Sequence, residues 1–416
     1  MTVRQQPSVE ADAAGETDQT AEVPKSGASA HVSPTRRALD DAVVARLVAA
    51  GLPGAEVAGW ERLSGGEFAA VVRVSLRDGN EVVLKVGPAP SVRLLRYEHG
   101  MIGAEARYLA QIGRALPDAP LATLLAHGGS ADAPTGDEYA DGLSFEGEWM
   151  LTSLLPGKNL HLYTEPADAA DADASAAADP SAPVREQLGA LLARVHTITS
   201  PDGRFGYDGG VRPQAATWPE AFTAIIESLL QDAATWGVQL PASPERIRAL
   251  VRRNRDVLAQ VERAALVHFD LWDGNVLAAP GPDGALQLTG IVDGERFLYG
   301  DPLVDFVSPA LGRRIENEPD HPFLAGYRAA SGEPARFTDA QLRRLALYRL
   351  HLALLMYVEM PSRGMDPVSF AGRWEWIHGL LMNEIAHLEA MDTKAPDTRA
   401  TDTGAGNAAI DGTEGL

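Results

Sequence analysis

Cysteine is absent from the 416 residues. That excludes a disulfide framework, a thiol nucleophile and a thiolate metal site. No apolar run approaches the roughly 18–20 residues that a membrane-crossing helix needs. The N-terminus carries no apolar signal core followed by small residues, so the cytoplasm is the expected location. A G-x-S-x-G elbow is also missing, which sets aside acyl-transfer hydrolysis of that type. Basic charge is scarce: 36 Lys and Arg face 57 Asp and Glu, a net charge of −21. Such a surface repels nucleic acid and anionic membrane, so neither is an expected partner. It favours solubility and suits cationic small molecules.

Three stretches are poor in large apolar residues. Residues 1–37 are rich in Ala, Glu, Ser, Thr and Pro, residues 165–180 are nearly all Ala, Asp and Pro, and residues 391–416 are polar. They cannot bury enough surface to offset the entropy of ordering. They read as a disordered arm, a mobile insertion and a disordered tail. They hold +4 and −5, then −5, then +2 and −5, which leaves about −12 on the remainder.

Between these stretches the pattern is α+β. Leu39, Val43, Val44, Leu47 and Val48 recur at helical spacing, and Gly51 fits a helix stop. Residues 57–62, 70–76 and 81–86 are β-branched runs. An Asp78-Gly79 turn joins the last two, and Ser64-Gly65-Gly66 lies between the first two, predicting an antiparallel meander. Gly65 and Gly66 would let backbone N–H groups approach a phosphate. A helix is expected over about 92–113, and another strand over 149–155. Pro156-Gly157 ends that strand. Further helices are expected over 188–196, 218–235, 244–263, 302–312, 319–330, 338–360 and 367–390. A hairpin is expected around Pro280-Gly281-Pro282-Asp283-Gly284.

Lys85 sits on a strand that should be largely buried, and a buried lysine needs a partner. Glu105 on the following helix is the first choice and Glu98 the alternative. His196, at the end of a helix, reads as structural.

The chain's chemistry centres on Leu266-Val267-His268-Phe269-Asp270-Leu271-Trp272-Asp273-Gly274-Asn275. This is H-x-D-x-x-x-x-N after a short apolar strand. Eighteen residues beyond Asn275, a second apolar run ends at Asp293. Phosphoryl transfer needs these groups in this order. Asp270 would accept or orient a substrate hydroxyl proton. Asn275 and Asp293 would offer oxygens to Mg²⁺ bridging the phosphates of ATP. Lys85 would hold the α- and β-phosphates. His268 should hydrogen-bond backbone around the loop.

With Ile291-Val292-Asp293-Gly294-Glu295 and Gly300-Asp301-Pro302-Leu303-Val304-Asp305-Phe306 added, the chain resembles the aminoglycoside phosphotransferase family from about residue 57 to 390. The resemblance implies a bilobal protein-kinase-like fold, with an antiparallel sheet lobe over 38–155 and a mainly helical lobe over 156–390. It implies Asp270 as base, Asn275 and Asp293 as magnesium ligands, and Lys85 paired with Glu105. It also implies a nucleotide loop at Ser64-Gly65-Gly66 and adenine contacts from Thr152, Ser153 and Leu154. Asp301 and Asp305 would brace the site. The short segment after Asp293 has no room for a polypeptide-docking activation loop. A small hydroxylated substrate is therefore expected, in particular an aminoglycoside or another cationic antibiotic. Choline, homoserine, fructosamine and sugars are the metabolic alternatives. A nucleotide-binding protein without turnover is the reading from a different class. Regiochemistry, ATP against GTP and oligomeric state are left open.

Overall fold

The computed structural model describes residues 31–63, 66–129, 145–164, 179–209, 212–334 and 336–394. The arm up to residue 30, Ser64 and Gly65, the insertion up to residue 178 and the tail beyond 394 lie outside the described residues.

Helix α1 (Asp41–Gly51) opens with the Asp40 carboxylate accepting from the Val43 N–H, which satisfies one free donor of the first turn. Strands β1 (Val57–Arg62), β2 (Ala70–Leu76) and β3 (Glu81–Val86) follow. After them come α2 (Met101–Ala115), β4 (Leu124–Gly128) and β5 (Trp149–Ser153). The five strands form one antiparallel sheet in the order β1-β2-β3-β5-β4. The predicted meander is its first half.

The two-residue period of a strand decides which side chain meets which helix. Val82, Leu84 and Val86 of β3, with Trp149 and Leu151 of β5, pack in one core with Val44, Leu47 and Val48 of α1. Their neighbours point the other way. Met150 joins the core that contains Ile102, Ala106 and Leu109 of α2, and Lys85 turns to that same side.

Helix α2 begins nine residues later than the pattern suggests, at Met101. Gly100, at φ 75°, takes a left-handed turn that a continuous helix does not allow, and residues 96–98 form a separate short turn. Glu98 thereby leaves the Lys85 side. It accepts from the Leu95 N–H (2.8 Å) and pairs with Arg363.

The second lobe holds β6 (Lys158–Asn159), α3 (His161–Thr164), α4 (Ala182–Val195), β7 (Phe205–Tyr207), β8 (Gln214–Ala215) and α5 (Trp218–Trp236). Then follow α6 (Pro244–Arg253), α7 (Arg255–Leu258), β9 (Ala265–Val267), β10 (Val276–Pro280), β11 (Leu286–Ile291) and β12 (Leu298–Gly300). The chain ends with α8 (Pro322–Ser331), α9 (Asp339–Glu359) and α10 (Ala371–Lys394). One helix was expected over 244–263, but the chain breaks at Asn254. The helix expected over 302–312 is only a short 3₁₀ turn at Pro302–Phe306. Two small sheets, β11-β10-β6 and β8-β7-β12-β9, lie among the helices. The result is an α+β, bilobal, protein-kinase-like fold. Among the described residues no helix is long and apolar enough to cross a membrane.

Two expectations of disorder need correction. Residues 31–37 are placed against both lobes. The His31 ring packs edge-on against Phe370 (4.8 Å), and its Nε2 lies 2.8 Å from the Arg363 carbonyl. Ser33 and Thr35 are buried, and the Thr35 hydroxyl donates to the Glu67 carbonyl (2.7 Å). These polar residues are ordered through tertiary hydrogen bonds, which composition does not reveal. At the other end, α10 runs to Lys394, past the expected start of the tail.

Candidate active site

The loop after β9 is built around one buried carboxylate. Asp305, fully buried, accepts from the backbone N–H of His268 (2.9 Å) and of Phe269 (2.6 Å). Ser308 Oγ accepts from the Leu271 N–H (2.9 Å). These contacts hold Phe269 at φ 71°, in the left-handed region that a bulky side chain rarely adopts. The strained turn presents Asp270 to the space between the lobes. His196 sits behind it, with Nε2 3.0 Å from Asp305 and Nδ1 2.9 Å from the Tyr327 hydroxyl. Its part is structural. Asp301 accepts from Arg344 (2.7 Å) and from the Tyr348 hydroxyl (2.7 Å) and so ties the segment after β12 to α9; it is Asp305 that holds the loop directly.

His268 bonds backbone on both sides, as expected. Its Nδ1 accepts from the Asp270 N–H (3.3 Å) and its Nε2 faces the Val292 carbonyl (3.0 Å). That pair of contacts fits the neutral Nε2–H tautomer. Burial also pushes its pKa below the ordinary histidine value.

The β10–β11 hairpin brings the two proposed oxygen ligands together. Val276 pairs with Ile291, and the Val292 N–H donates to the Asn275 carbonyl (3.0 Å). Asn275 Nδ2 donates to the Asp270 carbonyl (2.9 Å), which leaves its Oδ1 as the free amide oxygen. Asp293 is also left-handed, at φ 61°. Gly294 follows it because a Cβ there would meet the Tyr108 ring at 2.4 Å. The segment after Asp293 is thus seated directly on α2.

Lys85 reaches into this corner from β3. Its Nζ lies 2.5 Å from Glu105, 2.7 Å from Asp293 and 2.6 Å from Glu295. These three carboxylates lie close enough to share a metal, but the ammonium already occupies their common point. Burial disfavours the lysine charge. Asp293, Glu105 and Glu295 overcome this and hold its pKa well above the ordinary value. Burial alone would raise the Asp293 carboxyl too, but the ammonium pulls it below its ordinary range. One ammonium cannot balance three carboxylates, two of them buried. Glu105 takes the excess: burial first, then Asp293 and Glu295, push its pKa up to about 7 against the pull of Lys85.

Asp270 is raised to about 6, first by burial. Arg296 opposes the shift, while Glu359, Asp293 and Glu295 add to it. Arg296 lies 3.3 Å from Asp270 and 3.0 Å from Glu359. One fifth of the Asp270 side chain stays open to the cleft, so an incoming hydroxyl can reach it.

The cleft encloses about 420 Å³. Gly66, Lys85, Asp270, Asn275 and Asp293 line it together, with Glu105 behind Lys85. Gly66 has φ 62°, consistent with the tight turn expected of the loop. Thr152, Ser153 and Leu154 do not line this cavity. Thr152 is buried between β3 and β4, and Ser153 exchanges hydrogen bonds with Thr123 (2.9 Å). They lead into the crossing to the second lobe, where the Pro156 carbonyl accepts from Thr289 (2.6 Å). A wider groove of about 800 Å³ lies beside Tyr357, Trp374 and His378. It shares only Met365 with the cleft and contains none of these groups.

Sequence reasoning missed Glu295, Arg296, Ser308, Glu359 and Arg363 in the cleft wall, and Arg36 on the arm. The Glu295-Arg296 pair directly after Asp293 was the one available signal. The others come from distant segments with no local mark.

No curated protein matches the chain. Among solved structures, a candidate aminoglycoside phosphotransferase from Ralstonia eutropha JMP134 superposes with a TM-score of 0.53 at 15% identity, covering 84% of this chain and 98% of its own. A candidate fructosamine-3-kinase from Thermobifida fusca YX-ER1 gives 0.52 at 22% identity, over 82% and 98%. A microcompartment-associated aminopropanol kinase gives 0.50 at 17%, over 84% and 98%. At these identities the likeness is one of fold. The sequence profile of the phosphotransferase enzyme family matches residues 59–346, which include most of the five-stranded sheet, the 268–275 loop and Asp293. The chain belongs to that family and is a small-molecule phosphotransferase.

Proposed function

We propose that the protein transfers the γ-phosphoryl group of ATP to a hydroxyl of a small molecule, with Mg²⁺, in the cytoplasm. The observation that carries this reading is the convergence of Lys85 from β3, Asp270 and Asn275 from the 268–275 loop, and Asp293 from the end of β11 on one cleft. Asn275 Oδ1 and the Asp293 carboxylate are hard oxygen donors, and they suit Mg²⁺ in preference to softer metals. When bound, the ion would neutralise phosphate charge.

The chain's own groups have distinct parts. The Lys85 ammonium, fixed by Glu105, binds the α- and β-phosphates. Gly66, on the cleft wall, is assigned to the phosphate tail. Asp270 takes the proton of the acceptor hydroxyl, and a pKa of about 6 leaves it ionised at neutral pH while still basic enough to accept. Arg296 fixes the Asp270 side chain and offsets the charge of Glu359. Thr152, Ser153 and Leu154 are assigned to the adenine edge, at the crossing between lobes.

The acceptor side supports a refinement. The carboxylates that line the cleft are Glu67, Asp270, Asp293, Glu295 and Glu359, and each has an arginine or lysine partner. Leu311, Leu352, Met356, Met360 and Trp376 supply much of the remaining wall. A polycation would have to displace those partners. A hydroxylated molecule with an apolar body would not.

The test is a nucleotide-consumption screen with ATP and with GTP. Its acceptors are aminoglycosides, apolar hydroxylated antibiotics, fructosamines, aminopropanol, choline, homoserine and sugars. Asp270→Ala should remove any true signal, by roughly 10²–10⁴-fold in kcat. Near-normal turnover in that variant would refute the assignment of the base. Nucleotide binding with no transfer to any acceptor would favour the non-catalytic reading.

A further inference from the structure

Arg36 is the fifth cation of the cleft wall, and it differs from the other four. Lys85 is held by Glu105, Asp293 and Glu295; Arg296 by Asp270 and Glu359; Arg363 by Glu98 and Glu359; Arg373 by Glu67. The Arg36 guanidinium lines the cleft and has no ion pair among the described residues; its Nε is buried without a hydrogen-bond partner among them, as is that of Arg296. A buried guanidinium N–H left unpaired is costly. Among the described residues, a guanidinium on the wall of a cleft with no carboxylate partner is the one free to take an anionic ligand.

Its neighbours fix the residue in place. The Thr35 hydroxyl donates to the carbonyl of Glu67, next to Gly66 of the nucleotide loop. Arg37 stacks over the Phe145 ring at 4.3 Å and donates to the Glu146 carbonyl (2.5 Å). The Arg36 N–H closes a turn onto the Ser33 carbonyl (3.0 Å). The backbone is therefore tied on both sides, and the side chain between lines the same cavity as Gly66, Lys85 and Asp293.

We propose that Arg36 binds the terminal phosphate of the nucleotide, as an in-chain guanidinium delivered by the N-terminal arm beside Gly66 and Glu67. The proposal rests on the phosphotransferase reading of the cleft. The ligand chemistry is a phosphoanion, because a guanidinium offers several donors in one plane and matches phosphate oxygens in pairs. Lys85 serves the inner phosphates from β3. Arg36 enters from the N-terminal arm, beside Glu67, and is assigned the outermost phosphate. Charge accumulates there during transfer, and a guanidinium beside it would stabilise the transition state.

The experiment is calorimetric titration of the full-length protein with Mg²⁺ and either a nucleoside diphosphate or its β,γ-imido triphosphate analogue, in adenosine and guanosine forms. Arg36→Ala should weaken triphosphate binding roughly ten- to hundredfold, the range for a charge-assisted contact, with diphosphate binding little changed. Arg36→Lys should recover part of the loss, and Arg77→Ala, which removes only an exposed surface pair with Glu56, should leave both affinities unchanged. If Arg36→Ala lowers both affinities equally, the residue only shapes the cleft and the proposal falls. It also falls if neither changes. If the wild-type protein binds no nucleotide and Lys85→Ala makes no difference, the phosphotransferase reading itself fails. If Lys85→Ala weakens binding and Arg36→Ala does not, only the inference about Arg36 fails.

Discussion

Asp270 combines two demands that pull against each other. As the proposed base, it has to be buried enough to be basic and open enough to meet a hydroxyl. Burial lifts its pKa to about 6, and Arg296 at 3.3 Å keeps it from rising further. Turnover under kcat/KM conditions should therefore fall about tenfold for each pH unit below about 6, because the protonated acid cannot accept a proton. A flat profile between pH 5 and 7 would show that another group takes the proton. Lys85 makes a different prediction. Its ammonium is 5% exposed and balances three carboxylates. Lys85→Ala leaves them uncompensated and should cost about 3–5 kcal/mol in urea unfolding. Glu105→Gln should cost far less, because it relieves a carboxyl that burial has already pushed up to about 7. Equal losses in the two variants would mean that the charge excess is not where the geometry puts it.

At the scale of elements, the site is assembled by three constructions. The 268–275 loop hangs on Asp305 and Ser308. The β10–β11 hairpin sets Asn275 beside Asp293 by its register. The seat of Gly294 on Tyr108 ties the end of that hairpin to α2. Gly294→Ala would drive a methyl group into the Tyr108 ring. It should cost about 1–3 kcal/mol in stability and disturb Asp293 next to it, measured as a lower Tm together with weaker nucleotide binding. A variant with both values unchanged would refute that coupling. The hairpin and the first three strands were legible in the sequence because turn chemistry and β-branching are local signals. The start of α2 was not, because the left-handed Gly100 interrupts a pattern that otherwise reads as one long helix. Residues 31–37 were not legible either, since their order depends on Glu67, Arg363 and Phe370, all distant in sequence.

For the whole molecule, the cleft is the junction of the two lobes, and its walls carry ion pairs that cross it. Lys85 joins β3 to Asp293, and Glu67 beside the nucleotide loop joins Arg373 of α10. The second pair is over a third exposed at both ends, so it adds little to stability and is weakened by salt. A nucleotide that fills the cleft binds both lobes at once. Saturation at about 100 times Kd should stabilise the fold by about 2.7 kcal/mol, seen as a rise in Tm. If Asn275 and Asp293 hold Mg²⁺, EDTA should remove most of that rise. A shift that persists in EDTA would show that nucleotide binding does not need the metal.

The sequence by itself determined the chemistry. The order Lys85, Glu105, Asp270, Asn275 and Asp293 is set by residue type and by spacing along the chain, and the period of β3 alone selects the side to which Lys85 turns. Only the tertiary structure decided the electrostatics and the reach of the cleft. It made Glu295 a third partner of Lys85, paired each lining carboxylate with a cation, and carried Arg36 from the N-terminal arm to the cleft wall. Such pairings depend on distances between segments tens to hundreds of residues apart. No local pattern encodes those distances.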